Sequence, residues 1–264
     1  MDLQLTGKRA LVTGSTAGIG FAIALELARE GALVTVNGRT AERVAAAVER
    51  LRQEVPCADV GGVAADLSSA DGVAALLRQV PKTDILVNNL GIFDPVPFES
   101  IPDSEWQRFF EVNVMSGVRL ARHYLPRMKA GDWGRIVFIS SESGINPPSE
   151  MAHYGMTKAA QLSVSRALAQ TTTGTGVTVN AVLPGPTRSE GVAEFFAKLA
   201  AAQGVAFEEA ERRFFSEARP TSILKRFIEP AEVAALVAYV CSPRAAATNG
   251  AALRVEGGVV STMC

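Results

Sequence analysis

The chain has 264 residues, of which 48% are hydrophobic and 20% are charged, and its net charge at pH 7 is −1. This length and apolar fraction favour a globular protein with a large core. The balanced charge, without a basic block, argues against binding to nucleic acid or to an anionic membrane surface. A soluble globular protein with a small-molecule ligand is the class that composition favours.

Targeting and metal signals are missing from the sequence. The first nine residues lack the basic-then-apolar order of a signal peptide, and no apolar run reaches the roughly 18 residues of a spanning helix. Cys57, Cys241 and Cys264 follow no metal-binding spacing, and their odd number argues against a disulfide framework. We therefore expect a cytoplasmic protein without a metal site.

Short β-rich runs alternate with longer helical runs along the chain, a pattern typical of a parallel sheet covered by helices on both faces. The predicted strands are residues 9–13, 33–37, 60–64, 85–88, 135–140, 177–183 and 252–255. Helices are predicted to begin near Gly18, Thr40, Ser69, Asp103, Ala152 and Pro230. The expected fold class is α/β: one Rossmann domain over residues 1–264, with a doubly wound, seven-stranded parallel sheet.

One region interrupts this alternation, because no strand is predicted between residues 184 and 229. Residues 191–217 read as two amphipathic helices around Gly204, with several phenylalanines available for an apolar face. Long insertions in compact α/β domains are often lids over a pocket. We expect residues 188–229, the lid segment, to pack against the core, to cover a substrate pocket, or to do both.

The first predicted strand leads into a glycine-rich turn that ends in a helix. Gly14, Gly18 and Gly20 allow a sharp turn and a close approach to a pyrophosphate, while the helix N-terminus supplies free N–H groups. Ser15 and Ile19 lie in the same turn. Its position between the first strand and the first helix predicts nucleotide binding.

The end of the second strand indicates which dinucleotide binds. After Asn37 and Gly38 there is no carboxylate to hold the ribose 2′-hydroxyl of NAD. Arg39 can instead clamp a 2′-phosphate through paired hydrogen bonds, so NADP(H) is expected in preference to NAD(H). Two other readings stay open for Arg39, which could begin a solvated helix or stack on adenine.

Tyr154 and Lys158 lie four residues apart in a predicted helix and therefore share one face. A positive charge beside the phenol favours the phenolate and lowers the tyrosine pKa from its usual value of about 10. Such a pair can act as a general acid and base. Tyr-x-x-x-Lys pairs are common, however, so the rest of the chain decides their meaning.

With the glycine turn and the Tyr-x-x-x-Lys pair both present, residues 5–260 resemble the short-chain dehydrogenase/reductase family, especially its 3-oxoacyl-acyl-carrier-protein reductase-like branch. Further motifs of that family occur in the same order: Asp66, residues 88–91 (Asn-Asn-Leu-Gly), Asn113, Ser141, residues 184–185 (Pro-Gly) and residues 256–258 (Glu-Gly-Gly). The family usually has alanine where Leu90 stands, so Leu90 adds bulk near the expected cofactor wall.

The resemblance implies a catalytic role for four residues. Ser141 is expected to hydrogen-bond the substrate oxygen and Tyr154 to donate the proton. Lys158 is expected to hold the nicotinamide ribose and to lower the tyrosine pKa. The backbone carbonyl of Asn113 is expected to hold a water that links Lys158 to solvent.

The resemblance also assigns the remaining cofactor contacts to residues near the strand ends: Asp66, Leu67, Asn88, Gly91, Pro184, Gly185 and Thr187. The expected substrate pocket is mainly apolar and includes Phe93, Ile145, Met151 and Phe195. A lipophilic ketone or secondary alcohol fits such a pocket better than a sugar or a phosphorylated metabolite. His153, next to the tyrosine, is expected to take no catalytic part.

The predicted activity is NADP(H)-dependent hydride transfer between nicotinamide and a carbonyl or secondary alcohol of an apolar substrate, with Tyr154 as general acid and base. Two alternatives stay open: an NAD-dependent alcohol dehydrogenase, and a non-catalytic protein that senses a dinucleotide. The resemblance further implies a homotetramer or homodimer.

Overall fold

The structure is a computed structural model that describes residues 1–263, apart from the side chains of Phe195, Leu199 and Gln203. Within this part, seven strands form one parallel sheet in the order β3-β2-β1-β4-β5-β6-β7. The strands are β1 (Arg9–Val12), β2 (Leu33–Gly38), β3 (Val60–Ala64), β4 (Ile85–Asn88), β5 (Gly134–Ile139), β6 (Val177–Pro184) and β7 (Ala252–Val255). The predicted α/β fold class is confirmed.

Helices cover both faces of the sheet, and each face has its own apolar core. Helices α1, α2 and α9 contribute to one core, while α3, α5 and α6 contribute to the other. The helices are α1 (Gly18–Arg29), α2 (Ala41–Glu54), α3 (Ala70–Gln79), α4 (Asp103–Phe110), α5 (Ser116–Ala130), α6 (Ala152–Gln170), α7 (Glu190–Gln203), α8 (Phe207–Arg213) and α9 (Pro230–Cys241). Among the helices of residues 1–263, none is both long and apolar enough to cross a bilayer.

Two of the predicted helix starts are N-cap residues. The hydroxyls of Thr40 and Ser69 accept hydrogen bonds from the backbone N–H groups of Arg43 (3.4 Å) and Gly72 (3.1 Å). Helices α2 and α3 therefore begin one residue later than predicted, because the capping residue keeps an extended backbone.

The strand order reverses at β1, which lies between β2 and β4. Val12, near the end of β1, is in register with Val36 on one side and Val87 on the other. The carboxyl ends of the parallel strands therefore meet at one edge, and the point of reversal opens a crevice there. The glycine turn after β1 and the loops after β4, β5 and β6 all begin at this edge.

The lid segment contains the two predicted helices, α7 and α8, separated by Gly204. Gly204 has φ of 65° and ends α7 in the left-handed conformation that glycine adopts without strain. A short π-helical turn, Phe214–Ala218, follows α8. The segment has a third apolar cluster of its own, composed of Phe196, Ala200, Ala210, Phe215 and Phe227.

Candidate active site

The glycine turn at the end of β1 has the left-handed backbone conformation that its glycines predict. Gly14 and Gly18 have φ of 59° and 56°, where other residues are strained. A Cβ at Gly20 would come within 2.4 Å of Asn89 Nδ2 and 2.5 Å of Gly14 O. The three glycines therefore let the turn fold tightly against the loop that follows β4.

The first turn of α1 lies at the wall of a cavity of about 920 Å³. Ala17, Ile19 and Gly20 all line this cavity. Ala17, the N-cap residue, has no side chain that could accept a hydrogen bond, so no cap consumes the free N–H groups of the first turn. These donors and the positive end of the helix dipole fit the pyrophosphate of a dinucleotide.

Ser15 and Asn37, both predicted cofactor residues, are buried. Their side chains form hydrogen bonds within the turn and to the strands beside it. Ser15 Oγ donates to Val12 O (2.7 Å) and accepts from the Asn37 N–H (3.0 Å). Asn37 Oδ1 accepts from the Gly14 N–H (3.3 Å), and Asn37 Nδ2 donates to two backbone carbonyls near the end of β3. These bonds fix the shape of the turn.

The predicted adenosine-side residues lie at the ends of β2, β3 and β4. Arg39 is exposed directly after β2, and Asp66 is exposed after β3, where its Oδ1 accepts from the Ser68 N–H (3.0 Å). Leu67 and Asn88 are buried. Within residues 1–263 neither amide atom of Asn88 has a hydrogen-bond partner.

Ser141, Tyr154 and Lys158 converge on the cavity that α1 borders. Ser141 follows β5, while Tyr154 and Lys158 lie on successive turns of α6. Lys158 Nζ is 5.5 Å from the centre of the tyrosine ring and donates to Ile139 O (2.9 Å). Ser140 Oγ donates to Lys158 O (2.9 Å), which fastens α6 to the end of β5.

Asn113 lies outside the cavity lining, in a π-helical segment, Glu111–Met115, between α4 and α5. Its side-chain amide accepts from the Ile92 N–H (2.8 Å) and donates to Ile92 O (3.0 Å) and Thr157 Oγ1 (3.0 Å). Asn113 thus joins the loop after β4 to α6. Its backbone carbonyl accepts from Gln161 Nε2 at 2.6 Å.

Burial dominates the protonation of the tyrosine and lysine. Burial raises the pKa of Tyr154, the charge of Glu142 raises it further, and a hydrogen bond with Ser141 opposes both. Burial lowers the pKa of Lys158 to about 7, against the opposing effect of Glu142. The sequence predicted a lowered tyrosine pKa, whereas in this structure burial of the phenol raises the pKa of Tyr154.

The substrate end of the cavity contains part of the predicted set. Phe93 and Met151 line it, and the Phe93 ring lies edge-on to the Tyr154 ring at 6.4 Å. Ile145 does not line it: this residue follows the short 3₁₀ turn Glu142–Gly144 and is 42% exposed. Phe195 belongs to α7, but its side chain lies outside the described residues.

The nicotinamide-side predictions fall on the same cavity. Pro184, Gly185 and Thr187 line it, as does Gly91, where an added Cβ would meet Lys158 Nζ at 3.5 Å. His153 is buried away from the cavity lining, with its ring centre 3.9 Å from that of Phe109.

Comparison with known proteins identifies the family. The short chain dehydrogenase family model matches residues 8–200, well over half of the chain. The chain belongs to the short-chain dehydrogenase/reductase family. It is an oxidoreductase of that family, as the resemblance in its motifs implied.

Similar members of the family cover the whole chain. An uncharacterized oxidoreductase of Bacillus subtilis, YvaG, is 51% identical over 263 residues and covers 100% of both chains. The 3-oxoacyl-[acyl-carrier-protein] reductase FabG of Aquifex aeolicus is 33% identical over 263 residues, with 98% and 100% coverage. The structure of L-sorbose reductase from Gluconobacter frateurii with NADPH and L-sorbose matches with a TM-score of 0.93, 32% identity and full coverage of both chains.

Two buried polar residues of this short-chain dehydrogenase/reductase were not predicted from the sequence. Gln161 lies three residues after Lys158, and its position on the buried face of α6 was a signal for an internal hydrogen bond. Glu142 directly follows Ser141 and accepts hydrogen bonds from Ser141 Oγ and from the Ser143 N–H (2.9 Å). Glu142 could have been found from the sequence, because it is an ionisable residue directly after the predicted catalytic serine.

Proposed function

We propose that the protein is an NADP(H)-dependent oxidoreductase that transfers a hydride between nicotinamide and a carbonyl or secondary alcohol of a substrate with an apolar body. One observation carries this proposal: Ser141, Tyr154 and Lys158 line the same cavity as the N-terminus of α1. Anion-binding donors and an acid/base group thus border one space, as hydride transfer to a bound carbonyl requires.

Several groups of this chain suit a dinucleotide. The N–H groups of the first turn of α1 would hold the pyrophosphate, and Lys158 would hold the nicotinamide ribose. Arg39, exposed beyond β2 where no carboxylate follows, would bind a 2′-phosphate. The similar L-sorbose reductase structure, which contains NADPH, supports the preference for NADP(H). When bound, the nicotinamide supplies or accepts the hydride.

The acid/base step follows from the protonation of Tyr154. With a pKa that is not lowered from the usual tyrosine value, Tyr154 is a phenol at neutral pH, the form that donates during carbonyl reduction. In that step the carbonyl carbon gains the hydride, the carbonyl oxygen takes the Tyr154 proton, and Tyr154 becomes a phenolate. Protonated Lys158 stabilises this phenolate. The Ser141 hydroxyl, whose hydrogen goes to Glu142 Oε2 in this structure, would turn from Glu142 to donate to the reacting oxygen.

The cavity lining supports a substrate with an apolar body. Besides Phe93 and Met151, apolar side chains from the loop after β4 and from the lid segment line the space: Ile92, Val192, Phe196, Phe214 and Phe227. A ketone with a lipophilic body can bury its surface there. The homotetramer or homodimer implied by the resemblance and the cytoplasmic location expected from the N-terminus and the cysteines stay predictions.

The proposal is tested by following NADPH oxidation with aromatic and aliphatic ketones, 3-oxoacyl thioesters, quinones and steroids. Tyr154→Phe is the matched variant, since it removes a single hydroxyl. We expect activity with one class, a loss of about 10²–10⁴-fold in kcat in Tyr154→Phe, and equal NADPH affinity in both proteins. Undiminished turnover in Tyr154→Phe, or NADPH binding without turnover of any carbonyl, would contradict the proposal.

A further inference from the structure

A carboxylate is buried directly beside the serine of the site. Glu142 is 5% exposed and lines the cavity. Its Oε2 accepts hydrogen bonds from Ser141 Oγ and from the Ser143 N–H (2.9 Å). The same N–H also lies 3.1 Å from Ser141 Oγ and donates to it. Glu142 and the Ser143 N–H together therefore fix the orientation of the Ser141 hydroxyl.

Arg219 of the lid segment forms an ion pair with this carboxylate. Its Nε lies 3.7 Å from Glu142 Oε1, and both side chains are largely buried. Arg219 Nη1 also lies 3.3 Å from Glu150 Oε1 and donates to Ala218 O (2.7 Å). The guanidinium carbon lies 5.5 Å from the centre of the Phe214 ring. Arg219 is thus held by its own segment and by the loop before α6, and it balances the charge of Glu142.

The hydrogen bond from Ser141 to Glu142 competes with the role expected of the serine. A hydroxyl has one hydrogen, so Ser141 cannot donate to Glu142 and to a carbonyl oxygen at once. When Ser141 turns to the reacting oxygen, Glu142 loses a donor, which is unfavourable for a buried carboxylate. The positive charge of Arg219 stabilises the carboxylate that remains. Release of the serine is therefore easier with Arg219 in place.

We propose that Glu142 is a positioning residue for carbonyl reduction: it orients the Ser141 hydroxyl before the substrate binds, and Arg219 allows it to release this hydroxyl to the substrate. This role rests on the carbonyl chemistry proposed above and adds two residues that act on it through Ser141. The lid segment, which contains Arg219, would thereby influence the acid/base site of the sheet framework.

The charge of Glu142 has a second consequence, which concerns Lys158. It raises the pKa of Lys158, against the larger effect of burial that lowers this pKa to about 7. Glu142 therefore favours the protonated lysine, the form that stabilises a Tyr154 phenolate. The other charged side chains that the described residues contribute to the cavity lining are the largely buried Arg219 and four exposed residues: Asp94, Glu150, Arg213 and Glu217.

The pH profile of Glu142→Gln tests the charge, because the amide keeps the shape of the side chain and an oxygen that can accept from Ser141. The probe is saturating NADPH with the ketone of the panel above that the native protein reduces fastest. We expect kcat/KM to fall about tenfold on the alkaline side of the profile, where Lys158 loses its proton, and less than about twofold on the acid side. Glu142→Asp keeps the charge and should keep the native profile. Glu208→Gln, an exposed change in the lid segment, is the matched control.

A double-mutant cycle tests the part assigned to Arg219. Arg219→Met keeps an unbranched side chain that can pack over Phe214 and removes the charge. We expect it to lower kcat/KM about tenfold in the native background, and Arg219→Lys to restore most of this loss. In the Glu142→Gln background the loss should be less than about twofold, because a neutral amide releases Ser141 without a balancing charge.

The outcomes separate this inference from the proposed function. A loss of kcat/KM in Glu142→Gln that is equal at every pH would overturn the inference, because Glu142 would then have only a structural role. Equal losses from Arg219→Met in both backgrounds would also overturn it. If Glu142→Gln does not fold, undiminished kcat/KM in Arg219→Met overturns it in its place. In all three cases the native protein still reduces its ketone and the proposed function stands, whereas silence of the native protein with every carbonyl overturns both.

Discussion

The cavity lies between two regions that pack on different apolar cores. On one side, Ser141 and Lys158 belong to the sheet framework, where β5 is buried along its whole length and Lys158 is bonded to Ile139 O at 2.9 Å. On the other side, the lid segment packs on its own cluster of phenylalanines, which is separate from the two cores of the sheet. The acid/base groups are thus on the larger unit, and the charged Arg219 is on the smaller one.

The two regions also differ in how they are joined. The ion pair of Arg188 with Glu211 (3.2 Å) lies within the lid segment, whereas Arg219 contacts Glu150 of the loop before α6 (3.3 Å). Partly exposed ion pairs of this kind contribute about 0–1 kcal/mol each. We infer that α7 and α8 can open at a much lower free energy than the sheet unfolds. Residues 221–224 of the lid segment are fastened more firmly, by hydrogen bonds to Gly257 O and Val259 O.

Two matched Phe→Ala substitutions, one in each region, give the largest expected difference in stability between the two regions. Phe138 in β5 and Phe215 in the lid segment are both at most 2% exposed, and each loses a full ring on substitution by alanine. We expect Phe138→Ala to lower the global free energy of unfolding by about 3–5 kcal/mol. Phe215→Ala is expected to lower mainly the local stability of residues 188–229. Urea unfolding and amide hydrogen exchange measure the two quantities.

Phe215 is the suitable position because it belongs to the lid cluster without lining the cavity. The inference of an independent lid segment fails if Phe215→Ala reduces hydrogen-exchange protection in β5 as much as in α7 and α8. It also fails if Phe138→Ala leaves global stability unchanged.

Substitution of the buried Lys158 gives the next largest expected effect, on the free energy of unfolding and its pH dependence. Burial lowers the pKa of Lys158 from 10.5 to about 7, so the unfolded chain binds more protons than the folded chain between these values. Stability therefore rises with pH from about 7 towards 10 as far as this group is concerned. Lys158→Met removes the buried ammonium, and we expect it to raise the free energy of unfolding by about 2–4 kcal/mol at pH 7, with less gain at pH 10.

The measurement is urea unfolding of native and Lys158→Met protein at pH 7 and pH 10. Lys82→Met, at an exposed position, is the control and should not alter the pH dependence. If the free energy of unfolding depends on pH identically in native and Lys158→Met protein, Lys158 is not the cause of the rise in stability between pH 7 and pH 10.

The framework could be predicted more fully than the lid segment because its signals are local. Buried parallel strands are continuous apolar runs between turn residues, and all seven strand predictions agree with the structure to within one residue at each end. Thr40 and Ser69 mark helix starts through their own side chains. The glycine turn and the convergence of Ser141 with Tyr154 also follow from residues near strand ends.

The remaining features depend on contacts between distant residues. Spacing places Tyr154 and Lys158 on one helical face, but it does not predict how deeply the face is buried, and burial decides the direction of the tyrosine pKa. Glu142 and Arg219 are brought together by the packing of the lid segment, which no local pattern encodes. Ile145 was predicted for the cavity from its loop alone, and the 3₁₀ turn before it leaves it at the surface.

Arg39 gives the smallest and most selective expected effect, because it lies at the end of β2 and is exposed. If its guanidinium binds a 2′-phosphate, Arg39→Ala should weaken NADPH binding by about tenfold and leave NADH binding unchanged. Arg43→Ala, a nearby exposed arginine, is the control. Titration calorimetry with both dinucleotides measures the affinities. Since NADPH and NADH differ in this one phosphate, an equal loss for both would instead indicate stacking on adenine, one of the other readings of Arg39.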